Sequence, residues 1–264
     1  MKFFISRFLN RKLLLAFLIG MMIMLLHIIK IYILSQKHEI IFTPYTSWLS
    51  IDFTSVLMIL FYLLLPLLAC FGTASVFLED MTSELFAYSL TSFVRKTLFT
   101  KLFITVFVIS ALVTTIPLLL DFFLSFLFLP NIAPDKIINL NLGIYLGSGD
   151  LFPRLFYAHP FGYAMLHLFL CFIFSGVFGV MSLAVTFLSR NKIIIILVPL
   201  FVQVVLIALN TFAFPLFAFS PFGFLPESMV TYDKNIIVIA VVWGLLFFSS
   251  LVIFVRGARR YEQL

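Results

Sequence analysis

Apolar residues run through this chain in long unbroken blocks separated by short polar stretches, with no strict alternation that would signal half-buried strands. Six blocks reach the roughly 20 residues that a helix needs to cross a bilayer, near 13–34, 53–78, 102–128, 161–188, 193–213 and 236–255. They predict an all-α polytopic membrane protein. The connections fall at 35–52, 79–101, 129–160, 189–192 and 214–235, and no period repeats along the chain, so residues 1–264 read as one transmembrane domain.

The connections differ from one another. In 79–101, Phe86, Leu90, Phe93, Val94 and Thr97 recur at helical spacing, while Glu84, Tyr88, Thr91 and Arg95 fall on another face. That pattern predicts an amphipathic helix. Asp80 or Thr82 suits its cap, with Glu79, Asp80 and Glu84 at the positive end of the dipole and Arg95, Lys96 and Lys101 at the negative end. Helix stability alone accounts for this order of charge. The stretch 214–235 combines Pro215, Pro221 and Pro226 with five Phe, too broken for a span and too apolar for a free loop. A segment dipping back into the membrane is expected there. Connection 129–160 is more polar and carries Gly143, Gly147, Gly149 and Pro153, which predicts an exposed loop. At the start, Phe4, Ile5, Phe8 and Leu9 alternate with Lys2, Arg7 and Arg11. This suits either an amphipathic helix in the membrane interface or a loose basic tail.

Composition strengthens the membrane reading. Of 264 residues 63% are hydrophobic and 11% charged, against soluble averages of roughly 45–50% and about 25%. Thirty-six Phe are more than a soluble core of this size would bury. The net charge of +6 comes from bases scattered at the ends of apolar runs, not from a dense stripe, which argues against nucleic acid as a partner. The first apolar run is too long for the core of a signal peptide and has no small-residue cleavage site after it, so it is expected to remain as a span. Cys70 and Cys171 lie far apart in apolar runs and read as small buried hydrophobes.

Basic residues also suggest an orientation. With both termini inside, Lys2, Arg7, Arg11, Lys12, Arg95, Lys96, Lys101, Arg190, Lys192, Arg256, Arg259 and Arg260 are cytoplasmic. Lys30, Lys37, Lys136, Arg154 and Lys234 remain outside. The positive-inside rule favours this arrangement, which places 79–101 in the cytoplasm.

Ionisable and amide side chains within spans are costly and point to function or to pairing. Asp121, four residues after Pro117, either faces an outward cavity or pairs with a base at the outer rim. Gln203 and Asn210 in the fifth span either bond to neighbouring helices or, with Asp121, line a translocation path. His27 and Lys30 read as residues near the outer surface, with Lys30 snorkelling. Ser175, Gly179 and Ser182 share one face at the spacing of close helix packing.

Catalytic patterns are weak. Gly147-Ser148-Gly149-Asp150 matches the G-x-G-D string of intramembrane aspartyl proteases, but Tyr232-Asp233 follows it and both aspartates fall in outer connections. His159 and His167 do not form H-E-x-x-H, and no G-x-S-x-G occurs. No metal or cofactor site and no enzyme are expected. There is no phosphate-binding G-x-x-x-x-G-K-[ST] and no Gly-Lys pair, so any ATP-driven work must draw on another polypeptide.

The stretch FLEDMTSELFAYSLTSFVRKTLFTKL, from Phe77, resembles the segment between the second and third spans of type-2 ABC exporter permeases. There an acidic start, a short apolar helix, a basic pair and a Lys opening the third span recur. The resemblance implies a coupling helix, docking on an ATPase subunit through Glu79, Asp80, Glu84, Phe86, Leu90, Phe93, Arg95 and Lys96. It further implies a second permease copy or paralogue, ATP and Mg held by the partner subunits, and a bacterial cytoplasmic membrane. Aromatic, weakly charged spans suit an amphiphilic cargo such as an antimicrobial peptide, drug or lipid-linked molecule. A channel or a structural membrane subunit without an ATPase is the competing expectation.

Overall fold

The computed structural model describes residues 10–37, 42–52, 55–73, 76–79, 95–137, 142, 144, 149–228 and 232–262. Among these the regular secondary structure is helical, apart from an isolated bridge between Phe217 and Asp233. The helices are α1 (Arg11–Lys37), α2 (Pro44–Ser47), α3 (Val56–Phe71), α4 (Arg95–Phe128), α5 (Pro153–Ala158), α6 (Pro160–Val185), α7 (Lys192–Phe212), α8 (Pro221–Phe224) and α9 (Ile236–Glu262). Six segments are long and apolar enough to cross a membrane: α1, Val56–Glu79, Thr97–Phe128, α6, α7 and Ile236–Arg260.

Local chemistry starts these helices where the polar stretches end. Asn10 Oδ1 accepts from the Leu13 amide at 2.8 Å, Asn191 Oδ1 from Ile193 at 2.9 Å and Ser220 Oγ from Gly223 at 3.2 Å. Each meets an amide that has no partner within its own first turn. The third span departs from expectation at its start. Its helix already includes Arg95 and Lys96, so these bases and Lys101 sit on the spanning helix itself.

Helix α6 forms the axis. Its span is 83% buried, against 17% for Ile236–Arg260, and it packs against α3, α4, α7 and α9. Small residues make the closest approach possible, since a Cβ added at Gly179 would lie 2.1 Å from Ser110 Oγ of α4. The Ser175, Gly179 and Ser182 face is therefore a packing face, as its spacing predicts. On the other side of α4 lies α1, and Gly72 at the end of α3 meets the Leu13 backbone closely enough that a Cβ would fall 2.4 Å from Leu13 Cα. Within lipid the apolar surfaces gain little by leaving their solvent, so contacts of this kind, and hydrogen bonds, hold the spans together.

Above the spans the connections are packed inward. Trp48 stacks edge-on to Phe122 at 5.1 Å, and Tyr45 meets Phe126 at 5.3 Å. Such pairs contribute about 0.5–1.5 kcal/mol beyond their buried area. The connection 129–160, expected to be exposed, instead buries Leu142, Ile144, Leu151 and Phe156. Gly149 lies in a bend and Pro153 opens α5, Gly143 and Gly147 lie outside the described residues, and the apolar residues reach the core, where Phe156 packs against Tyr163 at 5.3 Å. Segment 218–228 is also largely buried around α8, while Phe214 and Leu216 are exposed.

Candidate functional site

Polar residues gather at the two ends of the bundle. At one end Lys12 of α1 and Lys192 of α7 both reach Glu79 Oε1, at 2.9 Å and 3.1 Å. All three side chains are about half exposed, so each pair contributes little to stability. Their value is geometric: the root of the polar stretch after the second span touches the starts of the first and fifth. Arg95 and Lys96 form the first turn of α4. Asp80, Glu84, Phe86, Leu90 and Phe93 lie outside the described residues, as do residues 1–9 with Phe4 and Phe8.

The opposite end holds a buried ionic layer. His27 and Lys30 stand one turn apart on α1, and both point toward Asp52. Lys30 Nζ is 2.6 Å from Asp52 Oδ2, and His27 Nε2 is 3.4 Å from the same oxygen. On its other edge His27 Nδ1 meets Asp121 Oδ1 at 2.9 Å. The second Asp121 oxygen accepts the Leu49 amide at 2.6 Å. Neither His27 nor Asp121 is more than 1% exposed. This corrects the surface reading of His27, and Lys30 is held by a carboxylate instead of reaching freely into water.

A second cluster adjoins the first through Trp48. Its indole N–H donates to Glu227 Oε2 at 3.1 Å, and the Glu227 amide donates to the Ser50 carbonyl at 2.9 Å. Ser50 Oγ lies 2.7 Å from the Tyr62 hydroxyl. Lys234 Nζ donates to the Glu227 and Pro226 carbonyls at 2.7 and 3.0 Å and pairs with Asp150 at 2.8 Å. Burial pushes the Glu227 carboxyl up to about 8, against the pull of the Trp48 N–H and Lys234. Burial also lowers Lys234, opposed by Asp150. Asp150 is thus paired with Lys234. Gly149 has no room for a side chain, since a Cβ would lie 1.9 Å from Asp233 Oδ1. His167 N–H donates from Nδ1 to the Leu225 carbonyl at 2.9 Å.

Gln203 and Asn210 are buried and engaged with backbone. Pro66 has no N–H, so the Tyr62 carbonyl one turn earlier loses its helical donor. Gln203 Nε2 supplies one at 2.9 Å and reaches Leu63 O at 3.2 Å. Ser182 does the same for α7, donating at 2.7 Å to Ile195 O, the carbonyl freed by Pro199. Asn210 Nδ2 donates to the Phe214 and Phe217 carbonyls at 3.2 and 2.9 Å, while its oxygen accepts from Phe219 N at 2.7 Å. It thus organises the connection that follows its own helix.

Asp121, Gln203 and Asn210 are not brought together, and none lines either of two grooves formed by described residues. One, of about 570 Å³, runs between α1 and α4 past Leu13, Phe17, Ile109 and Ile116; the other, of about 410 Å³, lies between α4 and α9 past Phe103 and Phe254. Both are chiefly apolar. Among the described residues no group of His, Cys, Asp and Glu is arranged to hold a metal ion. No protein-family model, no curated protein and no solved structure matches the chain.

Proposed function

We propose that the chain is the membrane permease subunit of an ABC exporter, pairing with a second permease and driven by separate ATPase subunits in a bacterial cytoplasmic membrane. The observation that best supports this reading is the junction at Glu79. A partner pressing on the amphipathic stretch 80–94 pushes on a point joined to the first, second and fifth spans through Lys12 and Lys192. The third span begins directly after that stretch, at Arg95, so a rigid-body tilt of the partner has a short route into four of the six spans. The charge order and helical spacing of residues 79–101 add the resemblance to a coupling helix.

In this reading both termini and residues 79–101 are cytoplasmic, and the ionic layer around His27 is external. ATP binding by the partner shifts the pair of permeases between inward and outward arrangements, and the cargo is an amphiphile. Purification with native partners tests the assignment. A soluble ATPase is expected to co-purify, and Glu84→Lys or Phe93→Ala is expected to weaken its retention while the protein still folds. Recovery of the protein without an ATPase, from membranes where both orientations of tag have been tried, overturns the reading in favour of a channel or structural subunit.

A further inference from the structure

We propose that His27 binds a proton that latches the connection 42–52 onto α1 and α4, and that loss of this proton releases the connection. The argument is independent of any ATPase partner. Both ring nitrogens of His27 face carboxylate oxygens, Asp121 Oδ1 at 2.9 Å and Asp52 Oδ2 at 3.4 Å. A neutral imidazole that donates from Nδ1 to Asp121 turns its Nε2 lone pair toward the Asp52 oxygen, whereas the imidazolium presents an N–H there, at ion-pair distance though not aligned as a hydrogen bond. Charge balance gives the same answer. Among the described residues Lys30 and a cationic His27 are the cations that face the two carboxylates. A neutral His27 leaves Asp121, which has no exposed surface, without a cation among the described residues.

The charged groups that face His27 among the described residues are Asp121 from α4 and Asp52 from the connection, with Lys30 on its own helix acting through Asp52. A crevice of about 10 Å³ bordered by His27, Tyr32, Ser125 and Leu129 is at the lower limit of the space one water needs. The latch itself is Asp121. One oxygen holds His27 and the other holds the Leu49 amide at 2.6 Å, so the same carboxylate joins α1, α4 and the connection.

Trp48, next to Leu49 and fully buried, is a built-in reporter. Trp243, the other tryptophan, is replaced by Phe, and acrylamide quenching of Trp48 is followed in the reconstituted full-length protein from about pH 6 to about pH 9.5, below general tyrosine ionisation. In this background Trp48 is expected to be shielded at the acid end and to become several-fold more quenchable as pH rises. With Asp52→Asn a neutral imidazole suffices for the remaining carboxylate, so shielding is expected to persist across the range. With His27→Gln, quenching is expected to be high throughout. A parallel Glu227→Gln sample is expected to keep the pH response, because the proton in question is not on Glu227. An Asp52→Asn response matching that of the background protein, or a response abolished by Glu227→Gln, overturns the proposal even if His27→Gln fails to fold.

Discussion

Glu227 shows how one side chain sets a pH dependence. Its carboxyl is buried with Oε1 lacking a partner among the described residues, and it is raised from 4.5 to about 8. A group that holds its proton more tightly when folded favours the folded state at low pH, and that advantage is lost as pH rises toward the folded value. Between roughly pH 4.5 and 8 the protein is expected to lose stability on this account. Thermal unfolding across that window should show a falling midpoint in the native chain and a flatter profile in Glu227→Gln. Asp121 illustrates what is legible at this scale. Its position within a span marks it from the sequence as a residue needing a partner, but nothing in the spacing points to His27, 94 residues away. Asp52 was hidden for a similar reason, since it sits at the edge of a span where a solvated carboxylate is unremarkable.

Single helices raise a different problem, because three spans carry an internal proline, at Pro66, Pro117 and Pro199. In lipid a freed carbonyl has no water to turn to. Gln203 serves the carbonyl opposite Pro66 and Ser182 the one opposite Pro199, so an amide and a hydroxyl that sequence reasoning weighed as path or packing residues have backbone duties. Gln203→Leu is expected to cost about 1–2 kcal/mol. In a Pro66→Ala background the helix regains its own N–H, so the same change should cost clearly less. Equilibrium unfolding of the four proteins in mixed micelles measures that coupling. An equal cost in both backgrounds would mean that Gln203 serves something other than the proline gap. The pattern of spans was readable because bilayer thickness imposes a long apolar run. The pairing of amide with proline was not, since it depends on which faces of α3 and α7 meet.

If the six long apolar helices all cross, charges assigned to one side should lie at one end of the bundle, and several of them meet there. Lys12, Glu79 and Lys192 converge at one end, while Lys30, Asp52, Asp150 and Lys234 lie within linked clusters at the other. Which end faces the cytoplasm is a separate matter, predicted from basic-residue bias and open to direct labelling. Cys70 and Cys171 are buried, so an introduced cysteine should dominate the reaction with an impermeant thiol reagent. Lys136→Cys is expected to react in intact cells and Lys192→Cys only after permeabilisation. The opposite result reverses the topology and removes residues 79–101 from reach of a cytosolic ATPase.

With α6 on the axis and closely enclosed by its neighbours, the described part of the bundle is solid where a tube would be hollow. On the permease reading proposed above, cargo would then travel along the perimeter, at a seam shared with the second copy, so that a lone copy would be a wall and not a doorway.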